Sequence, residues 1–308
     1  MPAQFLIGQY GGFDLGKYER DFKSHFFGIE NCLYESEEDF DRLLSLSYKD
    51  GFKYGFHFAP RAGQHDSRDA LFMSSDESTR EEAFRSIEQE LEYLRDKHLT
   101  PEYVLFHYPK PVRLDPQKDW ELWHFDNEAE YEWDSEDSEL SFEARSEEVF
   151  QRLSHYGELY DFTPVLEFDA VPRVIVETDL LIRLLEKYPS IRICLDTARL
   201  FLQTLTDPDF DAMKVIHKYA RYAKLIHLSN ARYTDNAVLR HHPVLPRLSP
   251  NDGWAPIEDY LIAIRELNSD VLILFEHRSD RITDAELAEC YEWVDGLMNR
   301  EKTSIINQ

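Results

Sequence analysis

The feature that most constrains the fold is an alternation of short apolar segments with amphipathic helical segments along the chain. Eight segments have the β-branched and aromatic bias of buried strands: FLIGQY (5–10), FGIEN (27–31), KYGFHF (53–58), YVLFHY (103–108), PVLEF (164–168), IRICLD (191–196), KLIHLS (224–229) and VLILFE (271–276). Strands that alternate with helices pair in parallel, and eight such units close most simply into a barrel. The sequence therefore predicts a single (β/α)8 TIM barrel over residues 1–308, with a doubly wound open sheet as the structural alternative.

The predicted helices have apolar stripes at helical spacing. Ser78 and Glu81 have the spacing of a capping box at the start of one helix. Phe84, Ile87, Leu91 and Leu94 follow them and predict one buried face. Similar stripes predict helices around residues 40–44, after Ser36, and around 149–160, 180–185, 257–264, after Pro256, and 287–297.

Residues 110–143 interrupt the alternation after the fourth strand. The segment contains many acidic residues and three of the five tryptophans, Trp120, Trp123 and Trp133, without a helical period. Long loops in barrels are often functional covers, so one interpretation is a lid over the open end. The other is a solvated acidic excursion whose aromatic residues pack on the barrel rim.

Charge and composition narrow the classes of ligand. Sixty acidic residues against 34 basic residues give a formal net charge of −26, which repels phosphodiester backbones and anionic membranes. No apolar run reaches the roughly 18 residues of a membrane helix, and the first residues do not resemble a signal peptide. Cys32, Cys194 and Cys290 lie far apart, which favours a reducing cytoplasm. We therefore expect a cytoplasmic protein with a small-molecule substrate and without a nucleic-acid or membrane partner; a homo-oligomer is compatible with the sequence.

Ionisable residues stand near the C-terminal ends of the predicted strands, where buried parallel strands are normally apolar. They are Glu30, His57, His107, Glu167, Asp196, His227 and Glu276. In a barrel these ends converge on one face. A single histidine in a strand is more often a hydrogen-bonded core residue, but several carboxylates that face one another repel unless a cation lies among them. Carboxylate and imidazole ligands together suit Mn²⁺, Mg²⁺, Co²⁺ or Zn²⁺, so the pattern predicts a divalent metal ion.

Seven motifs surround these residues: GFHFAP (55–60), LFHYP (105–109), VLEF (165–168), ICLDTARL (193–200), LIHLSNAR (225–232), RHHPVLPRLSPNDGW (240–254) and LILFEHR (272–278). In order and spacing they resemble the xylose-isomerase-like barrels, the superfamily of sugar and sugar-phosphate isomerases and epimerases that also contains endonuclease IV. The resemblance covers most of the chain. It implies four metal ligands, Glu167, Asp196, His227 and Glu276, with Glu167 and Glu276 also exchanging a proton with the substrate. The candidates for substrate binding are His57, His107, Arg199, Arg232 and His242, of which Arg232 resembles an arginine that holds a substrate oxygen in epimerases.

Two departures from the family pattern affect these expectations. The Asp-Thr-Gly-His motif is replaced by DTAR (196–199), so an arginine that cannot bind a metal stands in place of a histidine. The nuclease motif Asp-Arg-His is replaced within LRHH (239–242), which lacks the carboxylate ligand. Both departures, together with the net charge, argue against cleavage of abasic-site DNA. Arg199 either binds a carboxylate or phosphate of the substrate, with Arg232 and Arg240 beside it, or pairs with an acid of the site itself.

The sequence thus favours a divalent-metal-dependent isomerase or epimerase of a sugar, sugar acid or sugar phosphate. The expected chemistry is proton transfer through an enediolate by two glutamates, with a metal polarising the neighbouring oxygens. The alternative from a different class is a non-catalytic or divergent ligand-binding barrel of the same superfamily, and an abasic-site nuclease is the less favoured third reading.

Overall fold

The computed structural model describes residues 4–134, 138–234 and 237–299. In this part of the chain the strands are β1 (Phe5–Tyr10), β2 (Gly28–Cys32), β3 (Lys53–His57), β4 (Tyr103–Tyr108), β5 (Val112–Leu114), β6 (Tyr131–Trp133), β7 (Thr163–Phe168), β8 (Arg192–Asp196), β9 (Ala223–Leu228), β10 (Asn230–Thr234), β11 (Ala237–His242) and β12 (Leu272–Phe275). Eight of them close into a barrel in the order β1-β12-β9-β8-β7-β4-β3-β2, and all neighbouring pairs are parallel. The predicted barrel is confirmed, and each of the eight predicted strands agrees with the observed one to within one residue at either end.

Every barrel strand is followed by at least one helix. The α-helices of the described residues are α1 (Leu15–Asp21), α2 (Glu37–Asp50), α3 (Glu77–Asp96), α4 (Glu139–Tyr160), α5 (Arg173–Glu177), α6 (Leu180–Lys187), α7 (Thr197–Thr206), α8 (Ala212–Tyr219), α9 (Ile257–Leu267) and α10 (Asp284–Asn299). This order is that of a (β/α)8 fold, and it excludes the doubly wound open sheet. None of these helices is both long enough and apolar enough to span a membrane.

The start of α3 differs from the prediction. The N-cap residue is Asp76, whose Oδ1 accepts a hydrogen bond of 2.8 Å from the backbone N–H of Thr79. Ser78 lies inside the first turn and its hydroxyl donates to the same carboxylate at 2.6 Å. The predicted capping box of Ser78 and Glu81 is therefore wrong, because an ionised carboxylate two residues earlier is the stronger acceptor for the free amides.

Strand side chains alternate between the barrel interior and the layer between strands and helices. Tyr103 and Leu105 of β4 belong to the apolar cluster inside the barrel, whereas Val104 and Phe106 belong to the larger cluster under the helices. The Tyr103 ring fills the interior against β3, where a Cβ atom on Gly55 would lie 2.3 Å from Tyr103 Cζ. The barrel is therefore a packed core and not a channel.

Two small sheets lie at the C-terminal ends of the barrel strands. β5 pairs in parallel with β6 within the segment 110–134, and β10 pairs with β11 as an antiparallel hairpin. Trp123 is buried in a small apolar cluster with Leu114 and Leu202 of α7. Residues 135–137 of the predicted loop lie outside the described residues. The rest of the segment packs on the barrel rim through its aromatic side chains; whether it opens as a lid stays a prediction.

Candidate metal centre

The four predicted metal ligands meet at the C-terminal end of the barrel. Each stands two residues after a member of the interior apolar cluster, so strand alternation turns all four inward: Glu167 after Val165, Asp196 after Cys194, His227 after Leu225 and Glu276 after Leu274. One donor atom from each residue lies within 4.8 Å of the others. The Glu167 and His227 side chains are buried, whereas that of Glu276 is 35% exposed.

Several donor atoms in this group lack a partner. His227 Nδ1 lies 3.0 Å from Glu167 Oε1 and 3.4 Å from Glu276 Oε2. Nevertheless His227 Nδ1, Glu167 Oε2 and Glu276 Oε2 are buried atoms without a well-directed hydrogen bond among the described residues. Buried polar atoms nearly always have a partner, and imidazole nitrogen with carboxylate oxygen is a typical donor set for a divalent cation. The four residues therefore fit a divalent metal ion.

The Glu30 carboxylate contacts the Nε2 side of the His227 ring. His227 Nε2 lies 3.2 Å from Glu30 Oε1, and the Tyr103 hydroxyl donates to Glu30 Oε2 at 2.8 Å. With its Nε2–H donated to this carboxylate, a neutral His227 ring would present its Nδ1 lone pair to an ion held with Glu167 and Glu276. This is the carboxylate–histidine arrangement that orients metal ligands in proteins. The position of Glu30 at a strand end was predictable from the sequence, but this role was not.

Like charges in the group affect the pKa of Asp196. Burial, and after it the neighbouring charges of Glu276 and Glu167, raise the pKa of Asp196 to about 6. Its Oδ1 also accepts from the backbone N–H groups of Ala198 and Arg199 and so caps α7. Asp196 is thus repelled by the two glutamates, and a cation among the three carboxylates relieves that repulsion.

His57 and His107, predicted to bind substrate, lie against the other side of Glu167. His107 Nε2 is 3.1 Å from Glu167 Oε2 and 3.2 Å from His57 Nε2. His57 Nδ1 is 2.8 Å from the Phe58 carbonyl, which only accepts, so this nitrogen carries the proton. His107 Nδ1 is 2.9 Å from Asp69 Oδ2. Neutral imidazoles with these Nδ1 partners would present both Nε2 atoms to an ion beside Glu167, so this second group of ligand atoms could also hold one.

Arg199 lies among the acids of the site. Its Nη1 is 2.5 Å from Asp169 Oδ1, and its Nε is 3.3 Å from Asp196 Oδ2. Its Nη2 is 3.0 Å from His107 Nε2, to which it donates when that ring is neutral. Of the two alternatives for Arg199, the structure has the pairing with the protein's own carboxylates. Asp169, directly after β7, was not among the predicted site residues.

A buried lysine connects the segment 110–134 to the site. Lys110 Nζ lies 2.8 Å from Glu130, 2.9 Å from Asp169 and 3.1 Å from Asp69, and its side chain is 2% exposed. Burial alone would lower the pKa of Lys110, but the three carboxylates raise it well above its ordinary value. Trp123 Nε1 also donates to Asp169 at 3.0 Å. The segment is thus fastened to the barrel by charge as well as by apolar packing.

A cavity of about 810 Å³ opens above these groups. Its lining includes two of the metal-ligand candidates, three of the predicted substrate-binding residues and several cations: Asp196, Glu276, His57, His107, Arg199, Lys17, Arg68 and Arg240. Trp123 lines the same cavity while it packs on the rim. This volume suits a small organic molecule.

Arg232 and His242 do not line this cavity. Arg232 Nε donates to the Asp252 carbonyl at 2.9 Å, and its guanidinium lies 5.5 Å from the centre of the Trp254 ring. His242 packs on the same ring with 4.8 Å between centroids. Their neighbours Arg240 and His241 line the cavity instead. The two predicted residues belong to a β10–β11 hairpin whose irregular register decides which side chains face the cavity, and sequence spacing does not reveal it.

Comparisons with known proteins agree on the fold. No family model matches the chain, and no curated protein sequence matches it. Among solved structures, a D-tagatose 3-epimerase-like protein is 16% identical with a TM-score of 0.59, covering 94% of this chain and 98% of its own. A Thermus thermophilus protein soaked with zinc chloride is 18% identical with a TM-score of 0.61, covering 97% and 100%. A family 2 AP endonuclease from Brucella melitensis is 16% identical with a TM-score of 0.57, covering 95% and 99%.

Other structural matches include a 3-keto-D-glucoside 4-epimerase from E. coli and a D-psicose 3-epimerase from Clostridium cellulolyticum. All of these identities lie below the level at which likeness of structure indicates shared activity, and the same barrel supports both epimerases and a nuclease. The comparisons therefore establish the architecture, and function has to be argued from the site. This chain has the xylose-isomerase-like TIM barrel fold.

Proposed function

We propose that this protein is a divalent-metal-dependent enzyme that isomerises or epimerises a sugar or sugar derivative. The observation that carries the proposal is the convergence of Glu167, Asp196, His227 and Glu276, whose facing ligand atoms include three without a well-directed hydrogen bond to any described residue. The sugar epimerases among the structural matches support the same class of substrate. The position at the C-terminal ends of the strands is where barrel enzymes have their catalytic groups.

The four residues would hold the ion, and a bound divalent cation would supply Lewis-acid polarisation of substrate oxygens. Of the two glutamates, Glu276 is the one that lines the cavity, and its side chain is partly exposed. We assign to Glu276 the removal or return of a proton at a substrate carbon. Glu167 would carry the second proton; its Oε2 lies beside the imidazoles of His57 and His107, which can exchange that proton.

Proton exchange with solvent tests this proposal without knowledge of the natural substrate. Metal-loaded protein is incubated in D₂O with a panel of ketoses, aldoses and their acid and phosphate derivatives, and deuterium at carbon is followed by NMR. We expect incorporation into at least one sugar, lost on chelation and in Glu276→Gln. Glu289→Gln is the matched control, because Glu289 is an exposed carboxylate paired with Arg247 on the outer surface. Saturable binding of a sugar without any exchange would instead favour the ligand-binding barrel.

The donors of His57, His107 and Glu167 favour a second candidate, hydrolysis of a small phosphoester by two ions that share Glu167. The net charge of −26 still argues against a nucleic-acid substrate. Two ions per chain in the wild type, together with release of phosphate from p-nitrophenyl phosphate, would favour this candidate over the isomerase. One ion per chain and no phosphate release would exclude it.

A further inference from the structure

The cations around the cavity fall into two groups. Lys110 and Arg199 are neutralised by buried carboxylates, Lys110 by Asp69, Glu130 and Asp169, and Arg199 mainly by Asp169. Their charges are therefore compensated within the protein and are not free to attract a ligand.

Lys17, Arg68 and Arg240 line the same cavity and form no ion pair within the described residues. Lys17 Nζ donates to the Gly8 carbonyl at 2.6 Å, and Arg240 donates to the Leu122 carbonyl. Both contacts are with neutral oxygens, and no described carboxylate lies within ion-pair distance of either cation. Lys17 stands in α1, Arg68 in the connection that follows β3, and Arg240 in β11 of the hairpin that follows β9.

Arg68 is the least satisfied of the three. Within the described residues its guanidinium has neither a hydrogen bond nor an ion pair, and its Nε is shielded from water without a partner. The guanidinium lies 5.6 Å from the centre of the Tyr10 ring, a residue that also lines the cavity. A planar fork of five donors beside a cavity matches the oxygen geometry of a carboxylate or a phosphate.

Cations without an ion pair are unusual in a chain as acidic as this one. With 60 acidic residues against 34 basic ones, a carboxylate partner is readily available to a cation. Arg278 illustrates the usual outcome at the same cavity, because its Nε and Nη2 bind Asp280 at 2.8 and 2.7 Å. Cations that stay unpaired on a cavity wall create a local positive potential within an acidic protein.

We propose that this cavity binds an anionic substrate, whose carboxylate or phosphate group is held by Arg68 with Lys17 and Arg240 adding positive charge. The inference rests on the proposed function, of which it specifies the substrate class. The charged group lies on the Arg68 side of the cavity, while the reacting carbon and its oxygens lie at the metal ligands. Arg199, the residue that the sequence favoured for anion binding, has a structural role through Asp169.

Matched sugars separate charge from the rest of the ligand. Binding to metal-loaded protein is measured by calorimetry for a panel of hexoses, their 6-phosphates and the corresponding uronic acids, which differ only at carbon 6. We expect at least one phosphate or one uronic acid to bind about tenfold more tightly than its neutral parent, as charge-assisted hydrogen bonds predict. Comparison of the two charged series tells phosphate from carboxylate.

Two variants then assign the effect to a residue. Arg68→Gln should lower the affinity for the charged sugar by about tenfold and that for the neutral parent by less than about twofold. Arg278→Gln removes the same charge from the same cavity at a paired, exposed position and should change neither affinity by more than about twofold. Circular dichroism of both variants shows whether they are folded.

The proposal is overturned if no charged sugar binds more tightly than its neutral parent, or if none binds at all. It is also overturned if Arg68→Gln weakens neutral and charged sugars equally, or if Arg278→Gln has the same effect as Arg68→Gln. Failure of the isomerase proposal gives a different result: Arg68-dependent binding of an anionic sugar without deuterium exchange. Deuterium exchange into neutral sugars without tighter binding of charged ones would instead mean that only the anionic-substrate proposal fails.

Discussion

The hydrogen bond between His227 Nε2 and Glu30 determines which nitrogen of His227 faces the metal-ligand group. We expect Glu30→Gln to weaken metal binding by about 10- to 100-fold. The Glu30 charge orients the His227 ring and raises the basicity of the ring, and the substitution removes that charge. The measurement is a competition titration of Co²⁺ or Zn²⁺ against a chromophoric chelator. Glu289→Gln, at an exposed pair on the outer surface, should leave the affinity unchanged. Equal affinities of Glu30→Gln and wild type would show that Glu30 only fills space.

We expect Arg199 to limit the number of ions that the site accepts. Its guanidinium contacts His107 Nε2 at 3.0 Å and lies 3.8 Å from Glu167 Oε1, so a permanent cation already stands beside the second group of donors. We expect one ion per wild-type chain and two per Arg199→Met chain by elemental analysis, because the variant removes the repulsion and frees His107 Nε2. The fold should survive, since Lys110 still pairs with Asp169. Two ions in the wild type would contradict this prediction.

Lys110 attaches the segment 110–134 to the barrel through three buried carboxylates. Replacing Lys110 with Met leaves Asp69, Glu130 and Asp169 buried with one cation fewer among them. Removing one partner of a buried ion pair typically costs about 3–5 kcal/mol, so Lys110→Met should lower the free energy of unfolding by that order. Urea denaturation followed by tryptophan fluorescence measures it.

The control for this prediction is Lys187→Met, which breaks an exposed lysine–glutamate pair of α6 with Glu147. Such a pair contributes at most about 1 kcal/mol, so this variant should unfold at nearly the wild-type urea concentration. Similar losses in both variants would mean that the buried network of Lys110 does not fasten the segment.

The elements of the barrel were predictable because buried parallel strands read as continuous apolar runs. The short strands β5 and β6 have three residues each, too few to show any period, and the segment 110–143 therefore looked irregular. The Lys110 network joins residues 20 to 59 positions apart, and spacing along the sequence contains no sign of it. The β10–β11 register likewise decided that Arg240, and not Arg232, lines the cavity.

At the scale of the whole molecule, the meeting of the metal-ligand candidates was predictable, because a closed barrel brings together the inward-facing side chains at the C-terminal ends of its strands. To predict that these four residues meet, it was enough to know that side chains alternate along each strand and that the sheet closes. Arg68 and Asp169 stand on connections, whose conformation depends on packing against other connections. The sequence therefore predicts which barrel residues can meet, while the neutralisation of Arg199 and the unpaired state of Arg68 require the folded chain.

Metal binding should stabilise the entire barrel, because its ligands come from β7, β8, β9 and the residue after β12. A ligand that binds only the folded state at 100 times its dissociation constant adds about 2.7 kcal/mol, which for a domain of this size raises the melting temperature by about 5 °C. Differential scanning calorimetry of metal-free and Mn²⁺- or Zn²⁺-loaded protein measures this shift. Glu167→Gln combined with Glu276→Gln should abolish the shift, because the double variant lacks two of the three ligand carboxylates. A double variant that the ion stabilises as much as it stabilises the wild type would show that these glutamates do not bind it.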